Sequence, residues 1–355
     1  MVLRLSKITV ISICAIFMII SQAEGRQMEK RRKEKSSGVI VHSRRLNICD
    51  ITDRDSKVHC YCEENQAAQN ASRAECWVFN GGMSNEDPIW AAFSSQTNLI
   101  ELNFNVRADG GLSFVPTRSL HALRYLQMLT IKYANIDEVT SFAFANLTSL
   151  KEISMTRNKV VDIQENAFAS LHNLTIINLD DNRITEIKRD CFYDLPMLQK
   201  LYITNNNISV LHDGAFKHLT QLINLELNRN SISILTRESF DGLANLKRLD
   251  LSNNRMNMIG DFTFAELWNL QDLMLDRNVL QFMSERAFDG LSQLKKLSLS
   301  ENRLSTLTEG LFEGVRGLVF LDLRSNHLET LTFENIRPII DNMKNVSSYV
   351  YLEGE

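Results

Sequence analysis

"LINLELNRNSISIL", residues 222–235, spaces Leu222, Leu225 and Leu227 by three and then two positions, places Asn230 three further on, and resumes apolar residues at Ile232 and Leu235. Residues two apart share one face of a strand, so Leu225 and Leu227 point the same way and Asn230 stands where the chain leaves the strand. The same offsets return 24 residues later at Leu246, Leu249, Leu251 and Asn254. A fixed period of this length marks an array of like units, none able to bury its apolar face without a neighbour.

Working outward, nine units start in one phase at Leu126, Leu150, Leu174, Leu198, Leu222, Leu246, Leu270, Leu294 and Leu318. A longer tenth precedes them from Leu99 to Leu123, with three extra residues around "ADGG". The polar column is Asn158, Asn182, Asn206, Asn230, Asn254, Asn278, Asn302 and Asn326. An amide offers both a donor and an acceptor, which suits a turn whose backbone groups are buried without strand partners. These residues are therefore expected to form a ladder between units, defective at Ala134, which occupies that place in the first regular unit. A second column, Phe144, Phe168, Phe192, Phe216, Phe240, Phe264, Phe288 and Phe312, is expected to fill the opposite, wider side. Cys191 shares the column just before it with Ala143, Ala167, Ala215 and Ala287, so it reads as a buried, unpaired thiol.

The L-x-x-L-x-L-x-x-N-x-L pattern resembles that of the extracellular leucine-rich-repeat superfamily. The resemblance implies an α/β solenoid, a horseshoe with a parallel concave sheet and an irregular or short-helical convex side. The expected organisation is a signal peptide at 1–23, a basic disordered linker at 24–46, a cysteine-rich N-terminal cap at 47–98, ten repeats at 99–331 and an incomplete terminal repeat at 332–355. The first segment rests on Arg4 and Lys7, an apolar run from Ile8 to Ile20, and Ser21-Gln22-Ala23. A run of thirteen residues is too short for a bilayer that needs roughly 20 in a helix, so it reads as a cleaved secretory signal. No hydrophobic tail follows "NVSSYVYLEGE", so the chain as written reads as secreted, or held at the cell surface if a longer form carries a C-terminal anchor.

In that oxidising compartment Cys49, Cys60, Cys62 and Cys76 read as two disulfides rather than a zinc site, which the absence of C-x-x-C spacing disfavours. A Cys60–Cys62 bond would strain the ring. The other two pairings stay open.

Residues 26–45 carry +6 and residues 1–25 carry +1, so the whole-chain charge of −4 leaves −11 for residues 46–355. The basic tail reads as a solvated, disordered linker or a protease-sensitive pro-segment, or as a contact for heparan sulfate or anionic lipid. An acidic body on a secreted chain argues against nucleic acid. The seven histidines scatter without a partnered nucleophile, so neither an enzyme nor a cofactor is expected. Five N-x-S/T sequons, at Asn70, Asn146, Asn173, Asn207 and Asn345, fit glycosylation.

Function is expected on the outward strand positions. Nine acids and eight bases nearly balance there, which suits a mixed-charge protein or a second copy. Tyr133, Tyr202, Glu226, Arg248, Asp250, Met274 and Asp322 are the contact residues expected on that face, with Phe320 as a further apolar anchor. The cap is more particular: "NICDITDRDSKVHCYCEE" at 47–64 and "AECWVFNGG" at 74–82 resemble connectin-type insect adhesion proteins. That resemblance implies homophilic cell–cell adhesion between nerve and muscle, with a C-terminal lipid anchor. The alternatives are a heterophilic receptor or ligand-binding module, and a matrix-associated protein held by its basic tail.

Overall fold

The computed structural model describes residues 46–51, 56–63, 71–79, 82–343 and 348–352. The signal peptide and most of the basic linker lie outside the described residues, as do Asn70, Asn345 and Glu355.

Each apolar pair two residues apart becomes one short strand of a shared sheet. Leu225, Leu249, Leu273, Leu297 and Leu321 stand opposite one another in successive parallel strands, from Asn224–Glu226 to Phe320–Asp322. Among the described residues the sheet contains 13 strands. The inward residues of these strands and their neighbours form one continuous core, in which Leu225, Leu227, Leu249 and Leu251 are fully buried. A parallel sheet of this kind has no local turns to hold it. Its register comes from the neighbouring coil.

The asparagine column supplies that coupling. Asn230 Nδ2 donates to the carbonyls of Ile203 (2.9 Å) and Leu227 (3.0 Å), while its Oδ1 accepts the amide of Ile208 at 3.0 Å. Asn254 repeats this with Leu227, Leu251 and Ile232, and Asn302 with Leu275, Leu299 and Leu280. At the incomplete rung, Ala134 donates its own amide to Asn158 Oδ1 at 2.7 Å. The later asparagine reaches back to the coil that has none.

On the far side the phenylalanines are fully buried. Phe264, Phe288 and Phe312 stack with centroids 6.3 and 6.1 Å apart and rings nearly parallel. Helix is scarce on that side. Short two-residue strands such as Met258–Ile259 and Phe282–Met283 pair there instead. Cys191 is free and buried among these residues, and its thiol donates to the carbonyl of Ile163 at 3.2 Å.

The cap adds an antiparallel hairpin, Val58–Cys62 with Arg73–Val78, whose second strand pairs in parallel with Glu101–Val106. The core therefore runs into the cap without a break. Cys49 pairs with Cys62 and Cys60 with Cys76, one of the two pairings the spacing left open. Trp90, Phe93 and Phe104 pack beneath the hairpin, and Trp90 Nε1 donates to Ser84 O at 2.9 Å.

The segment expected to be only an incomplete repeat holds the helix Phe333–Met343 and then the strand Tyr349–Tyr351. Thr332 and Asn335 cap that helix reciprocally, and Asn335 Nδ2 reaches Leu307 O at 3.2 Å. Ile339 is fully buried, so the helix covers the side of the last coil. Tyr349–Tyr351 pairs with Phe320–Asp322, with Val350 opposite Leu321. Leu352, just past this strand, is 46% exposed.

Two outcomes follow from the packing. Asn230→Ala strands the buried Ile208 amide, and urea denaturation should show a loss of about 1–3 kcal/mol. Burial pushes the Cys191 thiol up to about 12, and the thiolate is the reactive form. Iodoacetamide at pH 8 should therefore leave Cys191 unmodified in the folded protein and alkylate it in denaturant, as read by intact mass.

Candidate functional site

Among the described residues, the coils leave one face of the long sheet uncovered. Along it, the first outward position of successive strands carries Lys200, Asn224, Arg248, Asp272, Lys296 and Phe320, and the second carries Tyr202, Glu226, Asp250, Met274, Ser298 and Asp322. Adjacent members of a column stand about 4.8 Å apart. Five of the seven contact residues expected from the sequence thus form one row.

Near the middle of this face Arg248 is the hub. Its guanidinium lies 3.3 Å from Met274 Sδ, 3.9 Å from Asp250 and 4.0 Å from Asp272. Glu226 stands on the adjacent strand and Tyr202 one strand further, each half-buried. A planar guanidinium held among a thioether and carboxylates has lost much of its rotamer freedom before any contact forms, which favours association.

Three expected residues do not lie as the alternation suggests. Asp250 is only 8% exposed, because its Oδ1 turns down to accept the amide and hydroxyl of Ser252 at 2.9 and 2.7 Å. Asp322 is 4% exposed and is gripped by Arg324, whose Nε and Nη2 reach its two oxygens at 2.9 and 2.6 Å. Both carboxylates brace the strand exit rather than face a partner. Tyr133 is off the strand altogether. It has φ of +62° and begins a column continued by Arg157, Asp181, Asn205, Arg229, Asn253, Arg277, Glu301 and Ser325, all with positive φ. These residues stand on the rim between the strand and the ladder. Several of the charges counted on the face from sequence therefore belong to the rim.

The rim has its own polar chain. Arg157 donates to the Tyr133 hydroxyl at 3.2 Å and pairs with Asp181 at 3.3 Å, and Asn205 donates to Asp181 at 2.7 Å. The Asn205 amide, with Arg157 behind it, holds the Asp181 carboxyl below the usual carboxylate range. Asp180 and Asp276 move the other way, raised chiefly by burial.

At the C-terminal end of the face, Phe320 lies 5.5 Å from Tyr351, Tyr351 6.4 Å from Tyr349, and Arg324 sits 4.9 Å above the Tyr351 ring. This aromatic cluster was missed in sequence, although the alternation of "YVY" carried its signal. Of the sequons, Asn146, Asn173 and Asn207 are exposed. Asn173 Nδ2 also donates to Thr148 O at 2.7 Å. Among the described residues no cluster of three or more His, Cys, Asp or Glu could hold a metal ion, and no helix is long and apolar enough to cross a membrane.

The chain matches the family model "Leucine rich repeat" in five overlapping stretches, 124–184, 148–208, 196–256, 245–304 and 268–328. Together they span more than half of the 355 residues. Connectin of Drosophila melanogaster is 41% identical over 117 residues, 33% of this chain and 17% of connectin. Among solved structures, TLR13 in complex with ssRNA13 superposes with a TM-score of 0.67 at 26% identity, over 77% of this chain and 38% of that one. Toll in complex with Spatzle, from Drosophila, gives a TM-score of 0.63 at 19% identity, over 75% of this chain and 39% of Toll, a likeness of fold. The chain thus spans well under half the length of the relatives it matches.

The Asp322 environment sets a pH dependence. Burial alone would raise this carboxyl, but the side-chain and backbone hydrogen bonds with Arg324 outweigh it and hold the value down. A depressed carboxylate contributes stability above its unfolded value of about 3.9, and that contribution disappears as pH falls through the lower folded value. The stability difference between the native chain and Asp322→Asn, from urea midpoints, should be full at neutral pH and shrink on acidification below about pH 4.

Proposed function

Because the chain belongs to the leucine-rich repeat family, we propose that it is an extracellular protein-binding module whose concave sheet recognises a second copy of the same chain, in adhesion of the connectin type. The observation that carries this reading is the uncovered sheet itself. It is broad and built on a rigid stack, and it presents charges of both signs, Lys200, Arg248 and Lys296 with Glu226 and Asp272, beside half-buried Tyr202, Met274 and Phe320. Charges of both signs can complement a like surface turned about a two-fold axis, whereas a ligand of one sign would meet repulsion from part of the face.

Two further facts support an extracellular setting. The cap is closed by two disulfides, bonds that persist in oxidising compartments. The sequons at Asn146 and Asn173 occupy segments away from the sheet centre, so glycans there would leave the face open. The identity to connectin over a third of the chain favours self-recognition above a heterophilic partner.

Beads coated with the glycosylated protein should cluster with one another. Tyr202→Ala combined with Arg248→Ala should weaken that self-association by at least about tenfold, roughly 1.4 kcal/mol, with the melting temperature unchanged. Clustering only with beads carrying a different protein would replace self-recognition by the heterophilic alternative. Unchanged self-clustering of the variant would remove the concave face from the interaction.

A further inference from the structure

The rim beside the first regular coils holds a hollow of about 700 Å³ that is separate from the concave row. Its lining includes Arg107, Arg157, Lys159 and Arg183 against a single carboxylate, Asp181. This is a local excess of positive charge on a body whose residues 46–355 sum to −11. The four cations are exposed. Arg107 pairs with Asp109 at 3.5 Å, and Arg157 is held between Tyr133 and Asp181. Among the described residues Lys159 and Arg183 have no ion pair. They occupy the same position of consecutive coils, and so stand about 5 Å apart. No later pair of consecutive coils puts two Lys or Arg residues there, since the column continues Asn207, Ser231, Arg255, Val279 and Arg303.

We propose that this hollow binds a sulfated glycosaminoglycan chain. Guanidinium forks and an ammonium at coil spacing match a polymer that presents anionic groups at regular intervals. An acidic peptide is a poorer fit. Peptide recognition relies on apolar pockets for anchor side chains, and here the apolar lining is buried at Val106 and Ala134 and exposed only at the small Ala108, leaving Tyr133 as the exposed aromatic wall. A pyranose ring can stack on that wall while its sulfates meet Lys159 and Arg183. The site is independent of the concave self-recognition proposed above, and independent of the basic tail.

The test uses the full chain and a size-defined heparin oligosaccharide as probe. Lys159→Glu with Arg183→Glu should weaken binding by at least about tenfold and lower the salt needed for elution from immobilised heparin, since the contacts are screened electrostatic ones. Arg255→Glu, in the same column but outside the hollow, should leave binding unchanged. The difference should persist when Lys30, Arg31, Arg32, Lys33 and Lys35 are all replaced by Gln. Should the double reversal melt early, Lys159→Gln with Arg183→Gln takes its place, with the same loss expected. Unchanged affinity of the pocket variant overturns the proposal. So does an equal loss in Arg255→Glu, abolition of binding by the tail substitutions alone, or tighter binding of a sulfotyrosine peptide than of the oligosaccharide. Self-clustering of the beads reports separately on the concave face.

Discussion

No coil of this protein can satisfy its own backbone. Where the chain leaves each strand, buried amides and carbonyls face inward without sheet partners, and an orphaned buried group is costly. The asparagine of the next coil resolves this by giving its Nδ2 hydrogens to carbonyls of both coils and taking an amide on Oδ1, as Asn254 does with Leu227, Leu251 and Ile232. Stability is thereby a property of neighbouring pairs, and the ends become the vulnerable points. A hairpin with two disulfides accordingly adjoins the first repeat, and the helix Phe333–Met343, which in sequence joins the strands Phe320–Asp322 and Tyr349–Tyr351, buries Ile339 in the shared core.

Much of the architecture is legible in the sequence because period and chemistry coincide. Leucine, asparagine and phenylalanine each occupy one column, and each column has one physical task. The column beginning at Tyr133 escapes this logic. Its members are aromatic, basic, acidic, amide and hydroxyl residues with nothing in common except φ between +53° and +62°. Their conformation is imposed from outside: Arg229 and Arg277 donate their amides to Ser252 and Ser300 of the following coils at 3.0 and 2.9 Å. A backbone bond to a neighbour leaves no compositional trace at the residue that makes it, so Tyr133 was placed on the face rather than the rim.

The candidate face was legible in outline but not in the state of its charges. Strict alternation points Asp250 and Asp322 outward, and their backbones do stand in the outward row. A short carboxylate at a strand exit can nevertheless fold back onto nearby donors, as aspartates do in turns. Asp250 finds Ser252, and Asp322 finds Arg324. Glu226, in the same row and one methylene longer, makes no such turn and stays half-buried on the face. The cap's disulfide pairing was undetermined for a related reason. Both sensible pairings close short loops, and only the hairpin register, which sets Cys60 opposite Cys76, selects between them.

Departures from the period create the features that the period cannot. The first repeat is lengthened by "ADGG", and the insertion fits because Gly110 has no side chain: a Cβ there would lie 2.7 Å from Val78 O and 2.8 Å from Val106 Cγ1. Ala134 interrupts the asparagine column in the very next coil. The rim hollow begins at this junction, lined by Val106, Arg107 and Ala108 and then Tyr133 and Ala134, and runs on to Lys159 and Arg183 in the next two coils. Regular coils offer a partner a flat face on which only side chains vary. An irregular coil also changes the shape of the backbone beneath them, and a concave basic site needs that change of shape.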